Sequence, residues 1–312
     1  MVAVRPLAER DLPSAQRIIR DAFGTFFGVP DLENFRFPPY AHTRFGAEHI
    51  ASFAAEQDGE LLGSNFAIKW GSIGFFGPLS IRPDHWDSGV GQRLVAAVSD
   101  QFESWGTRHA GLFTFAQSAK HVGLYGKFGF HPRFLTAIMA APARPAGTAQ
   151  RWSRYSELPE GQRAAAETAT RELTEQLYDG LDLCAEIRTV FARNLGDTVL
   201  LWDGDSRLAG FAICHLGPES EAGGGICFVK FGAVRPGPGA AERFAALLDG
   251  CAGLAVAGGM PDIVAGVNLA RAEAYRAMLG RGFRTQIQGV TMHRPNEEGY
   301  SRPGLFVLDD WR

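Results

Sequence analysis

The feature that most constrains this chain is a repeat inside it. Asp58-Gly59 divides the apolar run 51–70, and Asp203-Gly204 divides the run 198–216 in the same way, 145 residues later. Farther on, LYGKFGF (124–130) is echoed by AMLGRGF (277–283), and superposing Gly129 on Gly282 gives an offset of 153. Similar offsets at two distant places mean a duplicated unit, so the 312 residues divide into two domains of one plan, 1–142 and 150–312. The stretch APARPAGTAQRW (141–152), rich in Ala, Pro and Gly and without apolar periodicity, reads as the linker.

Each half reads as helix, hairpin, third strand, helix, strand, helix, strand. In the first half LPSAQRIIRDAF (12–23) is the opening helix, and Asp58-Gly59 is the turn of a two-residue hairpin. SIGFFGPLSIRP (72–83) is the third strand, SGVGQRLVAAVSDQFESWG (88–106) the middle helix, AGLFTFA (110–116) the next strand and AKHVGLYGKF (119–128) the last helix. Leu94, Val98, Phe102 and Trp105 recur at helical spacing and give the middle helix one apolar stripe to lay on a sheet. The expected fold is an α/β (α+β) sandwich of two tandem domains, each a mixed, mostly antiparallel sheet flanked by helices. The terminal RPGLFVLDDWR reads as a final strand with a polar tip that packs between the domains.

Charge and cysteines narrow the partners. The net charge is −3 with no basic block, which argues against nucleic acid. The opening MVAVRPLAERDLPSAQ has charges where a secretory signal needs an apolar core, and no apolar run approaches the ~18 residues of a membrane span, so a cytoplasmic, membrane-free protein is expected. Cys184, Cys214, Cys227 and Cys251 have neither CxxC spacing nor nearby His clusters, so reduced thiols are expected and no metal site. Composition leaves the oligomeric state open between monomer and homodimer.

The loop DHWDSGVGQRL (84–94) raises the question of chemistry. A helix beginning near Val90 leaves its first N–H groups unpaired at the positive end of its dipole, and Gly89 and Gly91 carry no Cβ to keep an anion away. A strand-to-helix turn that needs two glycines has the same sequence. Two flanking features bear on the choice. Gly77-Pro78 interrupts a strand and exposes backbone at Leu79–Ile81, while Tyr125, with His121 one turn earlier on the same face, follows on the last helix.

The order RPxxxxxGVG, helix, strand, LYxxxGFxPR resembles the GNAT superfamily of acyl-CoA-dependent N-acetyltransferases, over most of residues 1–140. Trp86 stands where many members carry Gln or Arg, and Ser118 where Asn is common. The resemblance implies acetyl-CoA as co-substrate. Its pyrophosphate would lie on Ser88, Gly89, Val90, Gly91 and Gln92, its pantetheine along Leu79, Ser80 and Ile81, with Ser118 and Tyr125 completing the cofactor site and Tyr125 protonating the leaving thiolate. Tyrosine suits that role because a phenol with pKa near 10 keeps its proton at neutral pH. As a residue on an amphipathic helix, Tyr125 also reads as packing under the sheet.

In the second half the corresponding loop, RPGPGAAER (235–243), is three residues shorter and contains Pro238, which has no N–H to offer. Met278 takes the place of Tyr125, and Tyr275 is out of register. That half is expected to be degenerate. Acceptor selection is expected from the aromatic stretch 24–46, with Asp31, Glu33 and His121 as candidate substrate contacts, although an exposed carboxylate pair is also ordinary solvated surface. No carboxylate presents itself as an obvious general base, and a water relay stays open. Two functions fit: an N-acetyltransferase moving acetyl from acetyl-CoA directly to a primary amine of a small molecule or peptide, or a non-catalytic acyl-CoA-binding or scaffolding protein.

Overall fold

In the first half, strands and helices follow one another as β1 (Ala3–Pro6), α1 (Leu12–Phe26), α2 (Tyr40–Arg44), β2 (Ile50–Gln57), β3 (Glu60–Trp70), β4 (Ile73–Phe76), β5 (Ser80–Ile81), α3 (Val90–Ser104), β6 (His109–Thr114), α4 (Ala119–Gly126) and β7 (His131–Pro142). The second half runs β8 (Trp152–Arg154), α5 (Glu160–Glu175), α6 (Cys184–Ala192), β9 (Gly196–Asp203), β10 (Arg207–Leu216), β11 (Ile226–Val234), α7 (Ala240–Ala257), β12 (Asp262–Asn268), α8 (Ala272–Gly280), β13 (Arg284–Arg294) and β14 (Val307–Leu308). The structure is a computed structural model and describes residues 1–144, 152–203 and 207–312. The turn at Gly204 and most of the linker 141–152 lie outside the described residues.

Local chemistry explains most of these elements. Pro13 starts α1, and Leu12, Ala15, Ile18, Ile19 and Ala22 turn one buried stripe toward the sheet. Asp58 and Gly59 both take positive φ, 53° and 84°, the geometry that a two-residue hairpin between β2 and β3 requires. Leu94, Val98 and Phe102 of α3 are buried as their spacing predicts.

The two halves share one sheet. Its order is β1-β2-β3-β4-β6-β13-β7-β12-β11-β10-β9-β8, with β5 on β3 and β14 on β11. The repeat thus runs inward from both edges, but the last strand of each half has crossed into the other. β13 pairs antiparallel with β6, from Val290 opposite Thr114 to Arg294 opposite Ala110, and β7 pairs antiparallel with β12, from Thr136 opposite Asn268 to Pro142 opposite Asp262. The repeat led to the expectation of a separate sheet in each half; the structure joins them. Long strands β7 and β13 pair with each other and cover the open edges of β6 and β12, so neither half ends in an exposed edge. An apolar core mixes residues of both halves, among them Phe66, Trp70 and Phe75 with Leu200, Phe211 and Phe231.

A buried ionic chain also crosses between the halves. Arg44 is fully buried and places Nε and Nη2 at 2.9 Å from the two carboxylate oxygens of Glu221. Lys230 bridges Glu221 at 3.0 Å and Glu186 at 2.9 Å, and Glu186 meets His49 and the Trp70 indole. These cations, despite the cost of burial, hold the carboxyls of Glu221 and Glu186 well below the usual carboxylate range. Losing one partner of such a pair typically costs about 3–5 kcal/mol, because the other charge stays buried.

Where β13 enters beside β6, two histidines meet without charge. His109 Nε2 and His293 Nδ1 are 3.0 Å apart, both residues wholly buried. Burial pushes His109 from 6.5 down to about 4, and burial together with His109 pushes His293 down to about 3. Both folded values lie below the unfolded one, so the pair leaves stability untouched above pH 6.5. As pH falls further the unfolded chain takes up protons that the folded pair refuses, and stability is lost down to the folded values. For His109 alone the shift corresponds to roughly 3 kcal/mol. Denaturant midpoints measured between pH 7.5 and 4.5 are expected to fall with acid, and to fall less steeply in His293→Gln; equal slopes in the two proteins would refute this origin.

Candidate active site

The expected interruption of the third strand is real and opens the sheet. β4 pairs parallel with β6 only from Ile73 to Phe75, and past Gly77-Pro78 the chain resumes as β5, which pairs with Gly63 and Ser64 of β3 and not with β6. The gap between β5 and β6 is a cleft of about 660 Å³, within the roughly 300–1,000 Å³ usual for ligand sites. Arg44 fixes its upper edge by donating to the Gly77 carbonyl, so the second half, through Glu221, helps to orient the strand break.

At one end of the cleft α3 begins. Gly89 takes φ 84° and ψ −1°, a left-handed conformation that favours glycine, and offers no side-chain cap. The amides of Val90, Gly91 and Gln92, all in the lining, have no acceptor within the helix. A Cβ on Gly91 would reach ordinary contact with Ile81 and Leu124, so the glycine leaves that face open rather than relieving a clash. Trp86, also in the lining, donates from Nε1 to the Ile81 carbonyl at 2.9 Å. Lys120 sits 5.5 Å over its ring and 2.8 Å from Asp87.

Tyr125 lies across the gap on α4. It is 7% exposed, packs edge-on against Phe76 and contributes to the lining, and its hydroxyl has no hydrogen-bond partner among the described residues. Burial pushes its phenol up, so it keeps its proton over the whole neutral range. His121 lines the same space; burial, then Lys120, pushes its imidazole down, which leaves it neutral at pH 7. Ser118 lines the cleft and caps α4, its hydroxyl accepting from the His121 amide at 3.4 Å.

Beyond Tyr125 the space is aromatic. Phe23 stacks on Phe37 at 4.7 Å, Phe26 lies 4.9 Å from Phe115 and 5.3 Å from His121, and Tyr40 closes the row behind Phe37 at 5.8 Å. Stretch 24–46 is thus an ordered wall, as its aromatic content predicts. Its carboxylates are elsewhere. Asp31 is exposed and closes its own turn, accepting from the amides of Glu33 and Asn34 at 3.1 and 3.2 Å, and neither Asp31 nor Glu33 lines the cleft. Ser80 and Ser88 are outside the lining too: the Ser80 side chain is buried beneath β5, and Ser88 donates to the His85 carbonyl.

The second half reaches into the cleft through Ile287, Trp311 and Arg312. Trp311 has φ 54°, an outlying conformation for a bulky residue, and it is held there by a chain in which its indole donates to the Tyr300 hydroxyl at 2.8 Å and Tyr300 to Asp309, itself 2.5 Å from Arg271. Its ring lies against β6 at Gly111, where any Cβ would fall 2.1 Å from it. Sequence reasoning placed the tip of RPGLFVLDDWR between the domains but did not assign Trp311 and Arg312 to the cleft. It also missed Lys120, which did leave a signal: a cation in the first turn of a helix opposes the dipole. At the position equivalent to Tyr125, Met278 is wholly buried in an apolar core.

A split sheet with a glycine-started helix at the gap is an arrangement suited to a pyrophosphate-bearing ligand. Residues 13–130 match the model of the acetyltransferase (GNAT) family. No curated protein matches the sequence significantly. Among solved structures, an acetyltransferase-like protein from Pyrococcus horikoshii superposes with a TM-score of 0.67 at 13% identity, over 98% of this chain and 93% of that one. A GCN5-related N-acetyltransferase from Sphaerobacter thermophilus gives 0.62 at 16% identity, over 94% and 95%. The glucosamine N-acetyltransferase region of a fungal multi-domain β-N-acetylglucosaminidase gives 0.63 at 14%, over 94% of this chain and 38% of that one. At these identities the likeness is one of fold, and for the first two it extends over both halves.

Proposed function

We propose that the chain is an acetyl-CoA-dependent N-acetyltransferase whose single working site is the cleft of the first half, and whose acceptor is an aryl or arylalkyl amine. The observation that carries this reading is the gap between β5 and β6, with free amides of α3 at one end and the Tyr125 hydroxyl open to it at the other. Amides of Gly89–Gln92, with Lys120 beside them in place of the missing Gln or Arg, hold the pyrophosphate. The unpaired edge at Leu79–Ile81 receives the amides of pantetheine. The amine nitrogen attacks the thioester carbonyl carbon, the C–S bond breaks, and the Tyr125 proton passes to the sulfur. The proton released by the amine goes to neutral His121 or to water.

The acceptor class follows from the wall. Phe23, Phe26, Phe37, Phe115 and Trp311 line the acceptor space, and the one acidic side chain among the described lining residues, Asp87, is paired with Lys120. Such a chamber favours an uncharged amine on an apolar body over a polycation. Amine-dependent release of CoA is the test, with phenethylamine and other arylalkyl amines set against spermidine and a lysine peptide. Turnover is expected with the first group alone, with one CoA bound per chain. Gly91→Glu, which puts a carboxylate where the pyrophosphate must lie, is expected to weaken CoA binding by roughly 10²-fold or more. CoA binding without turnover of any amine would favour the non-catalytic reading, which the Trp86 bond to the Ile81 carbonyl supports by occupying part of the strand edge.

A further inference from the structure

The repeat carries a reversal of charge. In the first half Arg82, the arginine of the Arg-Pro pair after β5, divides its guanidinium between Glu60 at 3.0 Å and Asp84 at 2.6 Å. Its counterpart is Arg235, which opens the Arg-Pro pair after β11; both pairs lead to a helix whose first residue follows a left-handed glycine, Gly89 before α3 and Gly239 before α7. Glu60 opens β3 opposite Gln57, and at the same place in the second hairpin Arg207 opens β10 opposite Asp203. A cation thus replaces an anion, and the shortened loop Pro236–Gly239 contains no residue to stand for Asp84.

The environment has changed accordingly. Arg235 is 8% exposed; its Nε donates to the Leu208 carbonyl at 2.8 Å, and its remaining guanidinium nitrogens have no hydrogen-bond partner among the described residues. Arg243, one turn into α7, folds back over the loop, with Nη2 on the Arg235 carbonyl at 2.9 Å and a buried Nε without a described partner. Arg207, Arg235 and Arg243 line one cavity of about 270 Å³, in which Asp203 is the one carboxylate among the described residues. Burial, then Arg207, pushes the Arg235 guanidinium down, with Arg243 adding to the effect and Glu172 of α5 opposing it. The start of α7 adds partial positive charge of its own.

We infer that this cavity is a binding site for a phosphate group, either inorganic phosphate or the phosphate of a monoester, held by Arg235 and Arg243 within and by Arg207 at the mouth. Guanidinium forks match phosphate oxygens in geometry as well as charge, whereas Pro238 has removed an amide from the loop. The site is separate from the acetyl-CoA cleft. Arg82 does not line that cleft, and in the first half the corresponding place is filled by the Arg82–Glu60–Asp84 triad.

Titrating the full chain with inorganic phosphate and with phenyl phosphate at constant ionic strength, followed by ³¹P NMR with CoA present and absent, tests the inference. One phosphate per chain is expected to bind in competition-free fashion with CoA, and a preference for either probe names the source while supporting the site. Arg207→Glu, which restores the charge of the first half, and Arg243→Gln are each expected to weaken binding by roughly tenfold or more. Their unfolding midpoints in chloride show whether the fold is intact; Arg207 is exposed, so that variant folds. Equal phosphate affinity in wild type and both variants would overturn the site, as would complete displacement of phosphate by a single equivalent of CoA per chain, which the first-half cleft alone takes up. Stabilisation by phosphate no greater than by chloride would do the same.

Discussion

Tyr125→Phe is expected to lower the turnover of the best amine by roughly 10²-fold or more while leaving acetyl-CoA affinity nearly unchanged. The substitution removes one hydroxyl from a residue whose ring is packed against Phe76 and whose phenol burial keeps protonated, so the ring, the helix and the cleft persist and only the proton donor goes. Stopped assays of CoA release, with affinity followed separately by calorimetry, divide the two effects. An equal loss of binding and turnover would make Tyr125 a packing residue, and activity close to wild type would remove it from the chemistry. Tyr275→Phe is the control: it lies in the other half, against a different core, and is expected to leave turnover as it is.

Ending the chain after residue 144 is expected to abolish the fold of the first half rather than merely weaken it. The truncated fragment would lose β13 from between β6 and β7 and β12 from the other side of β7, leaving a twelve-residue strand with both edges open. It would also leave Arg44 buried without Glu221, and β6 without the Trp311 ring that lies on Gly111. Expressed alone, residues 1–144 should be insoluble or lack a cooperative unfolding transition, and co-expression with 152–312 should restore a soluble complex that binds CoA. A monomeric 1–144 fragment with a sharp transition and wild-type turnover would show that the strand exchange is dispensable.

Much of the site was legible because its chemistry is local. The left-handed turn at Gly89, the break at Gly77-Pro78 and the position of Tyr125 on α4 each follow from residues within a few positions of one another. Asp31 and Glu33 show the limit of that reasoning: carboxylates in the right stretch are on the outside of the wall that the stretch builds, because Asp31 is engaged in closing a turn. The aromatic residues of 24–46 were recognisable as a group, whereas which of them line the cleft depended on contacts with Phe115 and His121, almost a hundred residues away in the chain.

Sequence by itself showed the internal repeat, the order of elements in each half, the hairpin at Asp58-Gly59, and the shorter, proline-bearing loop and the methionine that stand in the second half where the first has Gly89–Gln92 and Tyr125. These are properties of neighbouring residues: turn conformations, apolar spacing and the missing amide of a proline. Only the tertiary structure decided that β7 and β13 change places, that Trp311 and Arg312 reach the first-half cleft, that Arg44 answers a carboxylate 177 residues away, and that three arginines share one cavity. A strand's alternation of side chains is the same whichever edge it joins, and a buried charge is tolerable only beside its partner, so both outcomes are set by long-range pairing that no local pattern encodes.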